Sequence, residues 1–435
     1  MPNKGYSVSG TPKIGLASAT LGQFIGLAAI SLFGPSAIVF QSTMKLSSVQ
    51  VALLVSIPVL FGSLLRIPFG AWANSSGARL PMLIVLGIST VFLGIISIML
   101  LVYYPHKFTQ QLYPALLVFG SLVGVGAAAF SIGVPQVSYW YPLKRQGYAL
   151  GVYSGIGGLS PGIITLMLPF LITFSGIVYS YFIWFIISFI AFCIYFILAK
   201  DSFYFQLLKR KVEKSEAADI ARSNGQELIP SYNTFKSITA PLKNKANWGL
   251  VITNLTAFGG YVSLTTWLPT YWVENYRFNI IQAGIITSIG FVILGTLIRL
   301  PAGSLSDRYT GEVVMFYSSL IMLAGSLMFL INILPLDLTG EFVLAIGTGV
   351  NSAATFKLVP KYSKNNVGGA AGLVSGLGVF SSLIITILLG DFVNIYGNSG
   401  YFLGFIIFIA LSLVNIIISA EFFKKFHLPL QHLPK

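Results

Sequence analysis

Runs of apolar residues long enough to cross a lipid bilayer recur along the whole chain, and they constrain the fold more than any other feature of the sequence. A helix needs about 20 such residues to span the roughly 30 Å hydrocarbon core. Hydrophobic residues make up 55% of the 435 residues and charged residues only 9%, far below the roughly 25% of a soluble domain. Alternating ten-residue strands, which would indicate a barrel, are not seen in the pattern. The sequence therefore predicts an all-α membrane protein.

The apolar runs fall into two groups of six. A polar segment, 201–246, separates the groups and is interpreted as a partly helical linker. We thus predict an N-terminal six-helix bundle (1–200), a linker (201–246) and a C-terminal six-helix bundle (247–435). The twelve predicted transmembrane spans lie near 14–40, 48–73, 80–104, 112–139, 147–174, 177–200, 248–272, 280–305, 312–334, 341–362, 367–394 and 399–422.

The basic residues predict the orientation of the chain. The formal net charge is +14, and the cations concentrate in alternate loops. Cytoplasmic loops of membrane proteins carry this excess of Lys and Arg. We therefore expect a multi-pass protein of the inner or plasma membrane with the linker and both termini in the cytoplasm, and we do not expect nucleic acid as a partner. The basic loops contain Lys144 and Arg145, then Lys209, Arg210, Lys211 and Lys214, then Lys357, Lys361 and Lys364, and finally Lys424 and Lys425.

The two halves repeat each other at three places. Arg66, Pro68 and Gly70 of the second span recur with the same spacing in the eighth span as Arg299, Pro301 and Gly303. GVYSGIGGLS in the fifth span and GLVSGLGVFS in the eleventh have their Gly and Ser residues at identical internal spacing. The third match is a Gly-x-Gly pair in the fourth and tenth spans. In transporters built from repeats, the substrate site lies between the halves near the middle of the bilayer.

The repeated arginine predicts an anion site. An arginine in the middle of a membrane costs about 2.5–3.5 kcal/mol on insertion scales, and it does not lose its charge. Two arginines roughly 9 Å apart repel by about 1.8 kcal/mol at an effective dielectric constant of 20, whereas a monovalent anion roughly 4 Å from each gains about 4 kcal/mol per contact. The planar guanidinium fork also matches a planar oxyanion. Arg66 and Arg299 are therefore the principal candidate substrate ligands.

The acidic residues and His106, His427 and His432 fall in loops, at span ends or in the linker, so we expect no carboxylate or imidazole in the membrane interior. An empty carrier with two unpaired buried cations should change state with difficulty, which favours exchange of one anion for another. Proton-coupled uptake stays open. The spans contain no cluster of catalytic or metal-ligating residues, so we expect neither an enzyme nor a metal or cofactor.

Several motifs resemble the major facilitator superfamily. GAWANSSGAR, with Gly70, Gly77 and Arg79, is similar to its loop signature, and GSLSDRYTG retains Asp307 and Arg308. IPVLFGSLLRIPFG (57–70), FGGYVSLTTWLPTYWVENY (258–276) and LIRLPAGSLSDR (297–308) resemble helices of its nitrate/nitrite porter family. The resemblance implies a major facilitator fold of two pseudo-symmetric bundles, in which Arg66 and Arg299 bind an anion between the bundles.

The same resemblance supplies further candidate site residues. The family signature of the fifth and eleventh helices runs Ala-Gly-x-Gly-Asn-x-Gly. Here the alanine is replaced by serine in both halves, and Gly158 and Val379 stand at the asparagine, which often contacts substrate in the family. Candidate substrate contacts are Ser154, Gly155, Gly157, Ser375, Gly376, Gly378, Asn254, Phe258 and Phe130, and candidate gating or structural residues are Gly70, Asp307 and Arg308.

The sequence thus predicts a monomeric secondary transporter of a small inorganic oxyanion, with nitrate and nitrite favoured and anion exchange as the mechanism. Two alternatives remain. One is a proton-coupled transporter of another small anion, such as a carboxylate. The other is a non-transporting anion sensor that signals through the linker, although the linker contains no recognisable signalling domain.

Overall fold

A computed structural model describes residues 8–231 and 233–427, and this part of the chain contains helices and no strands, which confirms the all-α prediction. The helices of the first half are α1 Pro12–Ser31, α2 Phe33–Met44, α3 Ser48–Ser76, α4 Arg79–Tyr103, α5 Tyr113–Gly124, α6 Ala129–Trp140, α7 Gln146–Gly157 and α8 Ser160–Leu198. Those of the linker are α9 Phe203–Lys209, α10 Lys214–Ser223 and α11 Thr234–Lys243.

The second half continues the same pattern, with two π-helical stretches, 255–259 and 286–293, inserted where its first two spans cross the bundle. Such π-turns are frequent at functional sites. The α-helices of this half are α12 Lys245–Asn254, α13 Gly260–Tyr276, α14 Ile280–Ile285, α15 Leu294–Leu297, α16 Arg299–Tyr309, α17 Gly311–Leu330, α18 Leu334–Tyr362, α19 Val367–Tyr396, α20 Gly400–Leu403 and α21 Phe405–His427.

Ten helical segments of the described residues are long and apolar enough to cross a membrane, against twelve predicted spans. One of the ten, Leu143–Leu198, contains both the fifth and the sixth predicted span. The chain leaves the helical conformation inside it at Gly176, where φ is 76° and ψ is 164°, a conformation that favours glycine. The seventh predicted span, 248–272, is helical but is not among the ten. The count of twelve therefore stays a prediction.

The two halves pack through glycines at the end of the bundle that adjoins the linker. A Cβ atom on Gly303 would overlap the carbonyl oxygen of Gly147, and a Cβ on Gly368 would overlap that of Gly70. Only glycine allows this backbone approach, as in other tightly packed membrane helices. The contacts join α7 to α16 and α3 to α19, so the seam between the halves is closed on the linker side.

The linker contacts both halves across this closed seam. The hydroxyl of Ser237 in α11 accepts a hydrogen bond from Asn74 Nδ2 of α3 at 3.0 Å. The carbonyl of the same residue accepts one from Asn366 Nδ2, just before α19, at 3.1 Å. Ser237 therefore joins the two halves in the state that the structure shows.

The expectation of a carboxylate-free interior is wrong. The tenth span was predicted to begin at residue 341, but α18 begins at Leu334. Asp337 and Glu341 consequently lie in its first turns and are buried in the bundle. Tyr271 and Tyr276 donate their hydroxyls to Asp337, and Trp272 Nε1 donates to Glu341 at 2.7 Å. These carboxylates are bonded by aromatic donors and form no ion pair with either predicted site arginine.

Candidate substrate site between the two bundles

A cavity of about 250 Å³ lies between the halves, with Arg66 and Arg299 in its wall. Each arginine is ten residues from the linker-side end of its helix, at Ser76 or Tyr309. At 1.5 Å per residue this is about 15 Å, half of a roughly 30 Å bilayer core. The repeat in the sequence thus places both arginines at the same distance from the linker-side ends of their helices, about half the thickness of a bilayer core.

Arg66 is fixed by backbone carbonyls. It is 3% exposed. Its Nε donates to the carbonyl of Ala127 at 3.2 Å, and its Nη1 donates to the carbonyl of Ser375 at 3.3 Å. Ala127 belongs to the first half and Ser375 to the second, so the side chain bridges the seam. Because carbonyls are neutral, they orient the guanidinium without cancelling its charge.

Arg299 is buried to the same degree but is less constrained. It is 2% exposed, and its Nε has no hydrogen-bond partner among the described residues. A methyl group at Gly158 would lie 3.5 Å from its Nη1, so the guanidinium reaches across the seam to the end of α7. No carboxylate of the described residues forms an ion pair with either arginine. The cavity therefore holds two uncompensated positive charges.

A row of aromatic rings connects the two guanidiniums. Phe258 stacks between Phe130 and Tyr261, with ring centroids 6.1 and 6.2 Å away. The guanidinium carbon of Arg66 lies 5.3 Å from the Phe130 centroid, and that of Arg299 lies 5.3 Å from the Tyr261 centroid. Ring faces attract cations at these distances. The rings thus offset part of the cost of burying the charges while leaving the guanidinium donors available.

The cavity extends from the arginines toward the end of the bundle opposite the linker. Its wall on that side includes Pro35, Val59, Thr165 and Thr266. On the linker side the glycine seam closes the path, and the carbonyl oxygen of Arg299 itself lies against Gly151. The structure therefore shows a state that is closed on the linker side.

The remaining predicted contacts lie outside the cavity wall formed by the described residues. The hydroxyl of Ser375 donates to its own helix at Ala371, and only its carbonyl reaches Arg66. Asn254 Nδ2 donates to the carbonyl of Val374 at 2.9 Å, close to Gly378. The buried Ser154 contributes its carbonyl to the end of α7. These residues support the wall, and direct contact with substrate stays a prediction for them.

Three predicted glycines face side chains. Gly155 lies against Leu300 and Gly376 against Ile67, so both allow close packing across the seam. Gly157 lies against Gln23 of α1. A Cβ atom at any of these three positions would be crowded, so close packing alone explains why the residues are small.

The predicted gating residues lie on the linker side. Gly70 contacts Gly368 and Gly372 in the seam. Asp307 accepts hydrogen bonds from the backbone N–H groups of Gly147 and Tyr148 at 2.9 and 2.7 Å, at the start of α7. It also pairs with Lys357 of α18. Arg308 is exposed and lies over the ring of Tyr309.

Sequence reasoning named only the two arginines, Phe130 and Phe258 among the residues of the cavity wall, and two of those it missed are Tyr261 and Gln23. Tyr261 lies over Arg299, and its hydroxyl bonds to Thr296 at 2.8 Å. It was present in the segment that carried the family resemblance, but an aromatic residue in a membrane helix gives little indication of its role. Gln23 is the other, one of several polar side chains in the largely apolar helix α1.

Two repeated bundles of apolar helices around a buried charged cavity define a membrane transporter. The family model of the Major Facilitator Superfamily matches residues 19–331, most of the chain, and the chain belongs to this superfamily. It is therefore a multi-pass membrane transporter and not an enzyme.

The chain is similar to several curated proteins over most of its length. It is 27% identical to the "Nitrite extrusion protein" of Bacillus subtilis over 389 residues, with 88% of each chain covered. It is 28% identical to the "Probable nitrate transporter NarT" of Staphylococcus epidermidis, covering 85% of this chain and 88% of that one. It is 24% identical to the "Probable nitrate/nitrite antiporter NarK1" of Thermus thermophilus, covering 84% and 82%.

Solved structures share the fold. The proton:xylose symporter XylE superposes with a TM-score of 0.75 at 10% identity, covering 95% of both chains. The E. coli fucose:proton symporter FucP gives 0.73 at 14% identity, covering 94% of this chain and 99% of that one. At these identities the likeness shows the fold alone, and the major facilitator fold predicted from the sequence is confirmed.

Proposed function

We propose that the protein exchanges nitrate and nitrite across the cell membrane by alternating access at the Arg66/Arg299 site. One observation carries the proposal: two guanidiniums are buried in one cavity between the halves, and no carboxylate of the described residues pairs with either. The names of the similar proteins support nitrate and nitrite as the anions. Both arginines belong to one chain, which supports a monomer as the working unit.

The charges also support exchange rather than one-way movement. To change state without an anion, the protein would have to carry two unpaired cations through an occluded, low-dielectric intermediate, where their repulsion is strongest. A bound anion removes this barrier in both directions. We propose that the linker and both termini face the cytoplasm, as the basic loops predict, so the cavity opens toward the outside in the state described here.

Counterflow in proteoliposomes tests the proposal. Vesicles loaded with nitrite should take up labelled nitrate rapidly, and vesicles loaded with an impermeant buffer anion should not. The control is Arg222→Gln, which removes an exposed arginine of linker helix α10 and should leave exchange unchanged. Nitrate uptake at the same rate without a counter-anion would contradict exchange, and no uptake under either condition would contradict transport of nitrate and favour a sensor.

A second candidate is proton-coupled uptake of a small anion such as a carboxylate. It is favoured by Asp337 and Glu341, since buried ionisable residues in membrane bundles are the usual components of proton relays. Both lie outside the cavity wall. Anion uptake driven by an inwardly directed proton gradient, without a counter-anion and abolished in Glu341→Gln, would establish this alternative.

A further inference from the structure

We infer that Gln23 of α1 is a third anion ligand, whose side-chain amide donates to an anion held by Arg66 and Arg299. This inference rests on the proposed function and adds a residue to its site. Gln23 is 1% exposed and lies in the wall of the cavity that contains both arginines. Neither its Nε2 nor its Oε1 has a hydrogen-bond partner among the described residues. The amide is therefore buried, polar and unpaired at the place where an anion would bind.

The other two buried glutamines of the first half each donate hydrogen bonds to protein groups. Gln136 donates to Ser18 and accepts from Tyr195, both at 3.1 Å. Gln146 donates to the carbonyl of Ser138 at 2.9 Å. A buried amide that makes no hydrogen bond is strongly unfavourable. Gln136 meets this requirement with protein groups, whereas the Nε2 donor of Gln23 requires an acceptor that the described residues do not supply, and an anion is such an acceptor.

The protein makes room for this amide with a glycine. A methyl group at Gly157 would lie 2.9 Å from Cδ and 3.0 Å from Oε1 of Gln23, closer than ordinary packing allows. The next residue, Gly158, lies beside Arg299: a methyl group there would be 3.5 Å from Nη1, an ordinary contact distance. The amide of α1 and the guanidinium of α16 thus lie next to consecutive glycines at the end of α7.

The three groups contribute different chemistry to one ligand. The guanidiniums provide charge and paired N–H donors. The amide adds uncharged N–H donors in a fixed plane, which suits the peripheral oxygens of a small planar oxyanion. A hydrogen bond to a charged group is worth enough to change affinity roughly 10- to 150-fold. Loss of the amide should therefore weaken anion binding without removing the electrostatic attraction.

The test compares Gln23→Leu with Gln136→Leu in the purified full-length protein, measuring nitrate and nitrite affinity and thermal stability. Gln23→Leu should lower affinity at least tenfold and leave the anion-free melting temperature unchanged or higher, because no protein group loses a partner. Gln136→Leu should lower the melting temperature and leave affinity unchanged, because Ser18 and Tyr195 lose a partner but the cavity does not. Gln23→Glu should abolish binding, since its carboxylate would pair with the arginines in place of the anion.

The outcomes separate this inference from the proposed function. If nitrate and nitrite stabilise the wild type and bind Gln23→Leu equally well, the amide does not contact the anion. The inference is then overturned, whereas the proposed function is not. The same holds if Gln23→Leu loses stability as Gln136→Leu does while keeping its affinity, because the role of Gln23 is then structural. If neither anion binds the wild type, the proposed function fails and the inference fails with it.

Discussion

Arg66 and Arg299 share one aromatic ring, although they come from opposite halves of the chain. Their guanidinium carbons lie 5.7 and 5.4 Å from the centroid of Phe258, so the two charges are no more than about 11 Å apart. Arg66 donates to two carbonyls, whereas Arg299 Nε has no partner among the described residues. One cation is thus anchored, and the other retains a donor for a ligand.

Phe258→Leu should destabilise the anion-free protein more than the anion-bound protein. The ring faces both guanidiniums, and a desolvated cation–π contact is worth about 2 kcal/mol or more. A bound anion compensates the same charges, so saturating nitrate should restore most of the lost thermal stability. Phe329→Leu is the control, because that buried ring stacks on Phe405 with centroids 3.8 Å apart. Its stability loss should be the same with and without nitrate. Equal behaviour of the two variants would contradict a role for Phe258 in holding the charges.

Gly303→Val should slow exchange at least tenfold by preventing closure on the linker side. Even the first added carbon would overlap the carbonyl of Gly147 across the seam, so the halves would be held apart there. Spin-label distances between the linker-side ends of α7 and α16 should increase. Gly390→Val is the matched control, since nothing lies within 4 Å of a Cβ at that position. Unchanged distances and exchange in Gly303→Val would show that the seam does not depend on this contact.

Asp307→Asn should destabilise the same closed state, because Lys357 loses the carboxylate with which it pairs. The pair is only 12% and 14% exposed, and Asp307 also receives the N–H groups at the start of α7. Leaving a mostly buried ammonium without its carboxylate should cost about 2 kcal/mol or more. The double variant Asp307→Asn, Lys357→Gln should recover part of the loss, measured as melting temperature. Failure of the second change to recover any stability would mean that the pair itself contributes nothing.

The sequence was sufficient to predict the class of protein and to single out Arg66 and Arg299 as candidate site residues. Hydropathy can be determined from a short segment of sequence. The repeated Arg-x-Pro-x-Gly pattern can likewise be recognised without knowing how the helices pack. The predicted depth of both arginines followed from their equal positions in repeated helices, and the structure places them in one cavity. Their contacts with substrate remain predictions.

The parts that could not be predicted depend on assembly. Nothing local distinguishes Gln23, which is unpaired, from Gln136, which is bonded, because the difference is made by other helices. The start of α18 was placed too late because the acidic residues interrupted the apolar run. Pro335 in its first turn was the available signal, since proline favours that position. With that start, the buried Asp337 and Glu341 would have been expected inside the helix.

Nitrate binding to the wild type, Arg66→Lys and Arg299→Lys tests the central claim most directly, by titration calorimetry of the purified protein. Lysine keeps the charge but loses the planar fork. We predict saturable binding by the wild type at one site per chain and affinities at least tenfold weaker for both variants. Wild-type affinity in either variant would contradict two-arginine recognition of the anion.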